Sequence, residues 1–135
     1  MITIVSGAPC SGKTTYVRER AHPRDIIVDF DLLAQALGSR NTHAHWPEHV
    51  AFARLMRRHA IDLAATQRAL YPVAWIIDTA PSHSALAYYA AAGARFEVCD
   101  PGRDECLRRA LADNRPDWTI PEIHRWYDTH TQESA

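Results

Sequence analysis

The chain has 135 residues, 47% of them hydrophobic and 23% charged, a balance that fits one ordinary globular core and leaves no room for a second catalytic module. Its 15 basic and 16 acidic residues give a net charge of −1, which argues against a protein that grips a long duplex mainly by neutralising phosphates. No apolar run approaches the ~20 residues needed to span a bilayer, no basic segment precedes the first apolar stretch, and three cysteines without a C-x-x-C pair point to free thiols in a reducing cytoplasm.

The apolar, β-branched run Ile2-Thr3-Ile4-Val5 predicts a strand over 2–6. Gly7-Ala8-Pro9-Cys10-Ser11-Gly12-Lys13-Thr14 follows at once, and a helix is expected over 13–21. The spacing G-x-x-x-x-G-K-[ST] is that of a phosphate-binding P-loop. Glycines allow a tight turn whose N–H groups converge on phosphate oxygens, Lys13 reaches the β- and γ-phosphates, and the Thr14 hydroxyl can ligate Mg²⁺. The helix beginning at Lys13 adds the positive end of its dipole. A strand before and a helix after separate such a loop from a plain glycine-rich turn, and point to a nucleoside triphosphate with Mg²⁺ as the ligand.

A second strand is expected over 25–29, leading into Asp29-Phe30-Asp31 and a helix over 31–37. If this strand neighbours the first, both carboxylates stand beside the phosphate loop, in the crevice where open α/β sheets bind ligands. Asp31 there can accept the proton of an attacking hydroxyl, or it can simply cap the helix that follows. Asp29 is a candidate for the metal or the acceptor. The polar stretch 38–47 reads as a loop over the active face. Its His43 and His45, with His49, form H-x-H-x3-H without a cysteine, and a structural metal is not expected there. Trp46 can stack on a base or pack on the core. A long helix over 48–69 counts Val50, Leu55, Ile61 and Leu63 among its apolar positions, with Leu70 just beyond. Its basic stripe of Arg54, Arg57 and Arg58 is a solvated face or a grip on an acceptor, with Arg54 and Arg58 as the candidate contacts.

The third strand, 73–78, is hydrophobic and ends in Asp78, the form of a Walker B acid that orients a metal; the other reading is a cap on the turn Thr79-Ala80-Pro81-Ser82. Thr79 is a further candidate for acceptor contact. A helix over 82–92 has Ser82 as N-cap and Gly93 as stop, with Tyr88 and Tyr89 read as packing. The fourth strand, 95–99, precedes helices over 103–113 and 120–130. Arg109 and Arg115 are candidates for the donor phosphates. Arg108 and Arg109 project about 100° apart, so one of them is expected to face the site. Continuous apolar runs such as Ile26-Ile27-Val28 suit strands covered on both faces. These elements predict a three-layer α/β/α sandwich with a parallel sheet of about four strands, a P-loop NTPase of the nucleoside-monophosphate-kinase-like class. One domain is expected over 1–131, followed by a frayed tail at 132–135.

With these residues placed, the chain resembles the polynucleotide-kinase-like branch of small P-loop kinases, which includes the kinase half of phage polynucleotide kinase and has wider zeta-toxin-type and AAA-like relatives. The resemblance runs from Ile2 to about Tyr127. It rests on G-x-P-x-S-G-K-T-T ending at Thr15, on Asp31, on Ile76-Ile77-Asp78-Thr79, on Cys106-Leu107-Arg108-Arg109, on Asn114-Arg115-Pro116, and on Ile123 and Tyr127 in the last helix. It implies that residues 7–15 bind ATP, that Lys13 and Thr14 hold ATP and Mg²⁺, that Asp31 is the general base, and that Arg115 is a lid arginine. Two departures stand out: Ala34 replaces the arginine that related 5′-kinases often place three residues after the base, and no D-x-D-G-T phosphatase motif is present. The expectation is a cytoplasmic kinase that moves the γ-phosphate of ATP to a hydroxyl of a nucleic-acid end or nucleoside-like acceptor. The alternatives are a kinase for a modified base in phage DNA or for a small metabolite, and an ATP-binding regulatory module with little turnover.

Overall fold

A computed structural model describes residues 1–134. Four parallel strands, β1 (Ile2–Ser6), β2 (Ile26–Val28), β3 (Ala74–Ile77) and β4 (Arg95–Val98), form one sheet in the order β2-β3-β1-β4. Helices α1 (Lys13–Arg20), α2 (Phe30–Ala36), α3 (Pro47–Thr66), α4 (His83–Ala91), α5 (Arg103–Ala112) and α6 (Thr119–Ser134) alternate with them, and a 3₁₀ turn, Arg68–Leu70, ends the long helix earlier than expected. α6 runs through most of the segment expected as a frayed tail; Ala135 lies outside the described residues. No helix among the described residues is long and apolar enough to cross a membrane.

Side chains alternate across the strands, so the two central strands, β1 and β3, feed two layers. Ile2, Ile4, Ala74, Ile76 and Val28 cluster with Ile61 and Ala64 of α3 and Tyr89 of α4. The neighbouring positions Val5 and Ile77 instead meet Val17 of α1, with Trp75 packed alongside. A third cluster joins Ala8 to Cys106 and Ala110 of α5 and to Ile123, Trp126 and Tyr127 of α6. With helices on both faces, the arrangement is consistent with a three-layer sandwich.

The strand order and the burial of β2 differ from what its sequence suggests, and α3 buries only part of its apolar set. β2 does not neighbour β1, because β3 pairs with both: Ile4 sits opposite Ile76, and Val28 opposite Ile76 on the other side. β2 is thus an edge strand, and Ile26 and Ile27 are partly exposed rather than covered on both faces. In α3 the buried positions are the small Ala53 and Ala64 with Ile61, which let the helix lie close on its neighbours, while Leu55 and Leu63 face outward.

Candidate functional site

The C-terminal ends of the four strands open into one cleft of about 1570 Å³. Its floor is the turn from β1 into α1. Gly7, at φ +152°, donates its N–H to the Thr79 carbonyl at 3.3 Å, and a Cβ at this position would stand 2.5 Å from both the Cys99 carbonyl oxygen and Ser11 Oγ. Only glycine fits there. Cys10 takes a left-handed conformation (φ 65°), and Gly12 (φ 93°) caps α1. The first main-chain bond at this end of the helix is Tyr16 N–H to Gly12 O at 2.9 Å, so the amides of Lys13, Thr14 and Thr15 lie outside the helix's own bonding. Lys13 folds back into the turn and donates to the Gly7 and Ala8 carbonyls at 2.8 and 2.7 Å. Burial pushes its pKa down to about 8. Ser11 Oγ is buried with no hydrogen-bond partner among the described residues.

α5 supplies the wall beside this turn. Arg109 reaches across it, donating from Nη1 to the Cys10 carbonyl at 3.2 Å and from Nε to Glu105 at 2.9 Å. Arg108 turns its guanidinium to Glu105 through two bonds of 2.8 and 2.6 Å, so Arg109 is the one that touches the loop. These two arginines hold the Glu105 carboxyl down at about 2. Arg115 lines the cleft with its Nε 2.5 Å from Asp113 Oδ2.

The acids from β2 divide their labour in a way the sequence reading did not assign. Asp29, not Asp31, caps α2, its Oδ2 accepting from Leu32 N–H at 3.3 Å. Burial and then the neighbouring Asp31 charge push the Asp29 carboxyl up. Asp31 already lies in the helix rather than in an extended strand, yet both acids line the cleft. The segment between α2 and α3 is irregular as expected, but it closes over Asp31. His45 Nε2 lies 2.7 Å from Asp31 Oδ1, and His43 Nδ1 lies 3.2 Å from Oδ2. Both histidines are thus hydrogen-bond partners of this carboxylate. Trp46 is exposed and does not pack on the core.

At the end of β3, Asp78 Oδ2 accepts from the Tyr89 hydroxyl at 2.8 Å and pairs with Arg57 at 3.4 Å. Burial, then Asp78, pushes the Tyr89 phenol up to about 12. Tyr89 is therefore a polar anchor as well as packing. Arg57 also donates to the Ile77 carbonyl at 3.2 Å. The Thr79 carbonyl accepts from Trp126 Nε1 at 2.9 Å, tying α6 to the same corner.

The cleft wall includes residues 9–15, Asp29, Asp31, Asp78, Thr79, Arg54, Arg109 and Arg115. Gly7 shapes the turn from beneath, and Ala8 is buried in the α5–α6 cluster. Arg58 is exposed and stands outside the wall; Arg57 takes its place, because only one side of α3 borders the cleft. The sequence reading also missed His43, Cys99, Asp100 and Trp118 as wall residues. For Arg57 the three-residue step from Arg54 was a usable signal. For His43 no local pattern exists, since a loop fold brings it there.

The fold defines the class first: α/β, with an all-parallel sheet and its cleft at the strand C-termini. No protein-family model and no curated protein matches the chain. Among solved structures it is similar to a chain of the Pnkp1/Rnl/Hen1 RNA repair complex, with a TM-score of 0.71 and 19% identity over 99% of this chain and 45% of that one. A chain in another structure of the Pnkp1/Rnl/Hen1 complex matches with a TM-score of 0.58 and 21% identity, over 80% of this chain and 38% of that one. At these identities the likeness is one of fold. The chain spans less than half the length of the solved chains it matches.

Proposed function

We propose that this chain is an ATP-dependent P-loop kinase that phosphorylates a hydroxyl at a nucleic-acid end. The observation that carries this is a single cleft holding a glycine-shaped lysine turn and, in the same wall, a carboxylate on a separate element. Its 1570 Å³ exceeds the roughly 300–1,000 Å³ usual for one small ligand, leaving room for a donor and an acceptor together.

The turn suits a triphosphate. Gly7 admits no side chain, Ser11 Oγ is buried without a partner among the described residues, and Lys13 stays buried by bonding to carbonyls that phosphate oxygens can replace. Lys13, Arg109 and Arg115 then offset the charge on the β- and γ-phosphates. Thr14, Asp78 and Asp29 are the residues that would hold Mg²⁺, which is usually bound through one or two carboxylates and the substrate phosphates. When bound, it neutralises phosphate charge. Asp31 takes the proton of the acceptor hydroxyl. Arg54 and Arg57, with Thr79, border the rest of the cleft and suit an anionic acceptor. The position three residues after Asp31 gives no help, because Ala34 is fully buried under α3. The likeness of fold to chains of an RNA repair complex supports an end-processing role over a metabolite or a modified base.

Incubation with γ-labelled ATP and a panel of 5′-hydroxyl RNA, 5′-hydroxyl DNA, hydroxymethylated DNA and nucleosides is expected to label the 5′-hydroxyl ends. Label on hydroxymethylated DNA alone, or on none of them, rejects the reading. Asp31→Asn should retain ATP binding and lose transfer by about 10²–10⁴-fold, the usual scale of a general base.

A further inference from the structure

The two imidazoles on Asp31 are unequal partners. The His45 side chain is 2% exposed, stands edge-on to Phe30 with ring centroids 5.9 Å apart, and has its second nitrogen, Nδ1, 2.5 Å from the buried Ser39 Oγ. An ionised Asp31 accepts from Nε2–H, which leaves Nδ1 to accept from the Ser39 hydroxyl; the other acceptor for that hydroxyl proton, the Asn41 carbonyl, is farther away at 3.4 Å against 2.5 Å, so the neighbours of His45 select one tautomer. His43 stands in the cleft wall with 26% of its side chain exposed. It sits on an Asx turn in which Asn41 Oδ1 accepts from the N–H groups of His43 and Ala44 at 2.9 and 2.8 Å. A general base must bring one oxygen within about 2.6–3.2 Å of the hydroxyl it deprotonates. Asp31 Oδ1 is committed to a buried donor. Among the described residues Oδ2 is held only from the solvent side, by a hydrogen bond that exchanges for another at little net cost.

We propose that His45 is a positioning residue that fixes the orientation of the Asp31 carboxylate, and that His43 is a placeholder on Oδ2 which the acceptor's hydroxyl displaces. This rests on the kinase reading above and adds the oxygen that receives the proton. In the step, the acceptor oxygen bonds to the γ-phosphorus while its proton passes to Asp31 Oδ2. The bond from that phosphorus to the β,γ-bridging oxygen breaks, and its electron pair leaves with ADP. His45 keeps Oδ1 occupied throughout.

Transfer from γ-labelled ATP to a 5′-hydroxyl oligonucleotide is compared for the wild type, His45→Leu, His45→Gln and His43→Ala. Glutamine keeps an N–H near the place of Nε2. His45→Leu is expected to lower kcat by about 10–100-fold with KM for ATP unchanged, the scale at which a supporting hydrogen-bond partner acts, and His45→Gln to recover most of the loss. His43→Ala should lower the acceptor KM, because the hydroxyl no longer has a bond to displace. A His45→Leu protein with wild-type kcat, or a His43→Ala protein as inactive as Asp31→Asn, overturns the proposal. A second measurement needs neither turnover nor a variant. Histidine-selective ¹⁵N NMR of the wild type should find His45 protonated on Nε2 alone and unmoved when the oligonucleotide binds beside a non-hydrolysable ATP analogue, while the His43 signals shift. A His45 protonated on Nδ1 alone, or an unmoved His43 with the oligonucleotide bound, also overturns it. Wild-type protein that labels no acceptor counts against the kinase reading instead, and the His45 tautomer still decides the bond to Asp31.

Discussion

Lys13 shows what burying a lysine costs the free protein. Its ordinary pKa of 10.5 is pushed down to about 8 by burial, so the fold disfavours the charged form. Below pH 8 the lysine is charged in folded and unfolded chains alike, and the penalty is fully present. Between pH 8 and 10.5 the folded chain has shed a proton that the unfolded chain keeps, so stability rises across that window. Lys13→Met should remove that rise: the difference in urea-unfolding free energy between wild type and variant should change steadily from pH 8 to 10.5 and be flat below it. A triphosphate restores the charge, so its binding should take up a proton above pH 8, with affinity falling by up to about tenfold per pH unit. Calorimetry in buffers of different ionisation enthalpy measures that uptake directly; none would mean that Lys13 does not meet the phosphates. Lys13 was legible because its chemistry is written in eight consecutive residues. Asp31 was legible only as a carboxylate after a strand. Its hold by His43 and His45 depends on how twelve and fourteen residues of intervening chain fold back, which no local spacing encodes.

The elements were legible because apolar runs, proline and glycine mark their limits one segment at a time. All four strands and all six helices among the described residues lie where those signals place them, to within a few residues. The order of strands was not legible. Ile26-Ile27-Val28 looks like a central strand, and only pairing with β3 makes it an edge. The same holds for the cap of α2, where Asp29 and Asp31 both precede the helical run and only the backbone angles assign the role. Asp29→Ala should therefore cost about 1 kcal/mol in urea unfolding, whereas Asp31→Ala should not act through the cap. Gly7 links two elements at once, because a methyl group there meets the main chain at the end of β4. Gly7→Ala should destabilise by about 1–3 kcal/mol and abolish nucleotide binding, checked by unfolding and by fluorescent-nucleotide titration. A variant with wild-type affinity would show that the turn opens without its glycine.

In the whole molecule, the cleft is the meeting place of both ends of the chain. Its floor follows the first strand, while α6 braces that floor from outside: Trp126 packs in the cluster around Ala8 and bonds to the Thr79 carbonyl. Trp126→Ala should cost about 3–5 kcal/mol, and Trp126→Phe less, with the remainder reporting the lost bond in thermal unfolding. Nothing in the composition shows that a helix more than a hundred residues downstream supports the turn at residue 7. The distribution of sulfur over the molecule has a practical consequence. Cys10 and Cys99 stand half-buried in the cleft wall, and Cys106 is sealed between α5 and α6. Burial raises the pKa of both wall thiols, so they should alkylate slowly and faster with rising pH. The cleft thus offers an occupancy gauge: titrated with iodoacetamide, the native chain should offer two accessible sulfurs and one silent one, and if the cleft takes a nucleotide as proposed, both wall sulfurs should be protected.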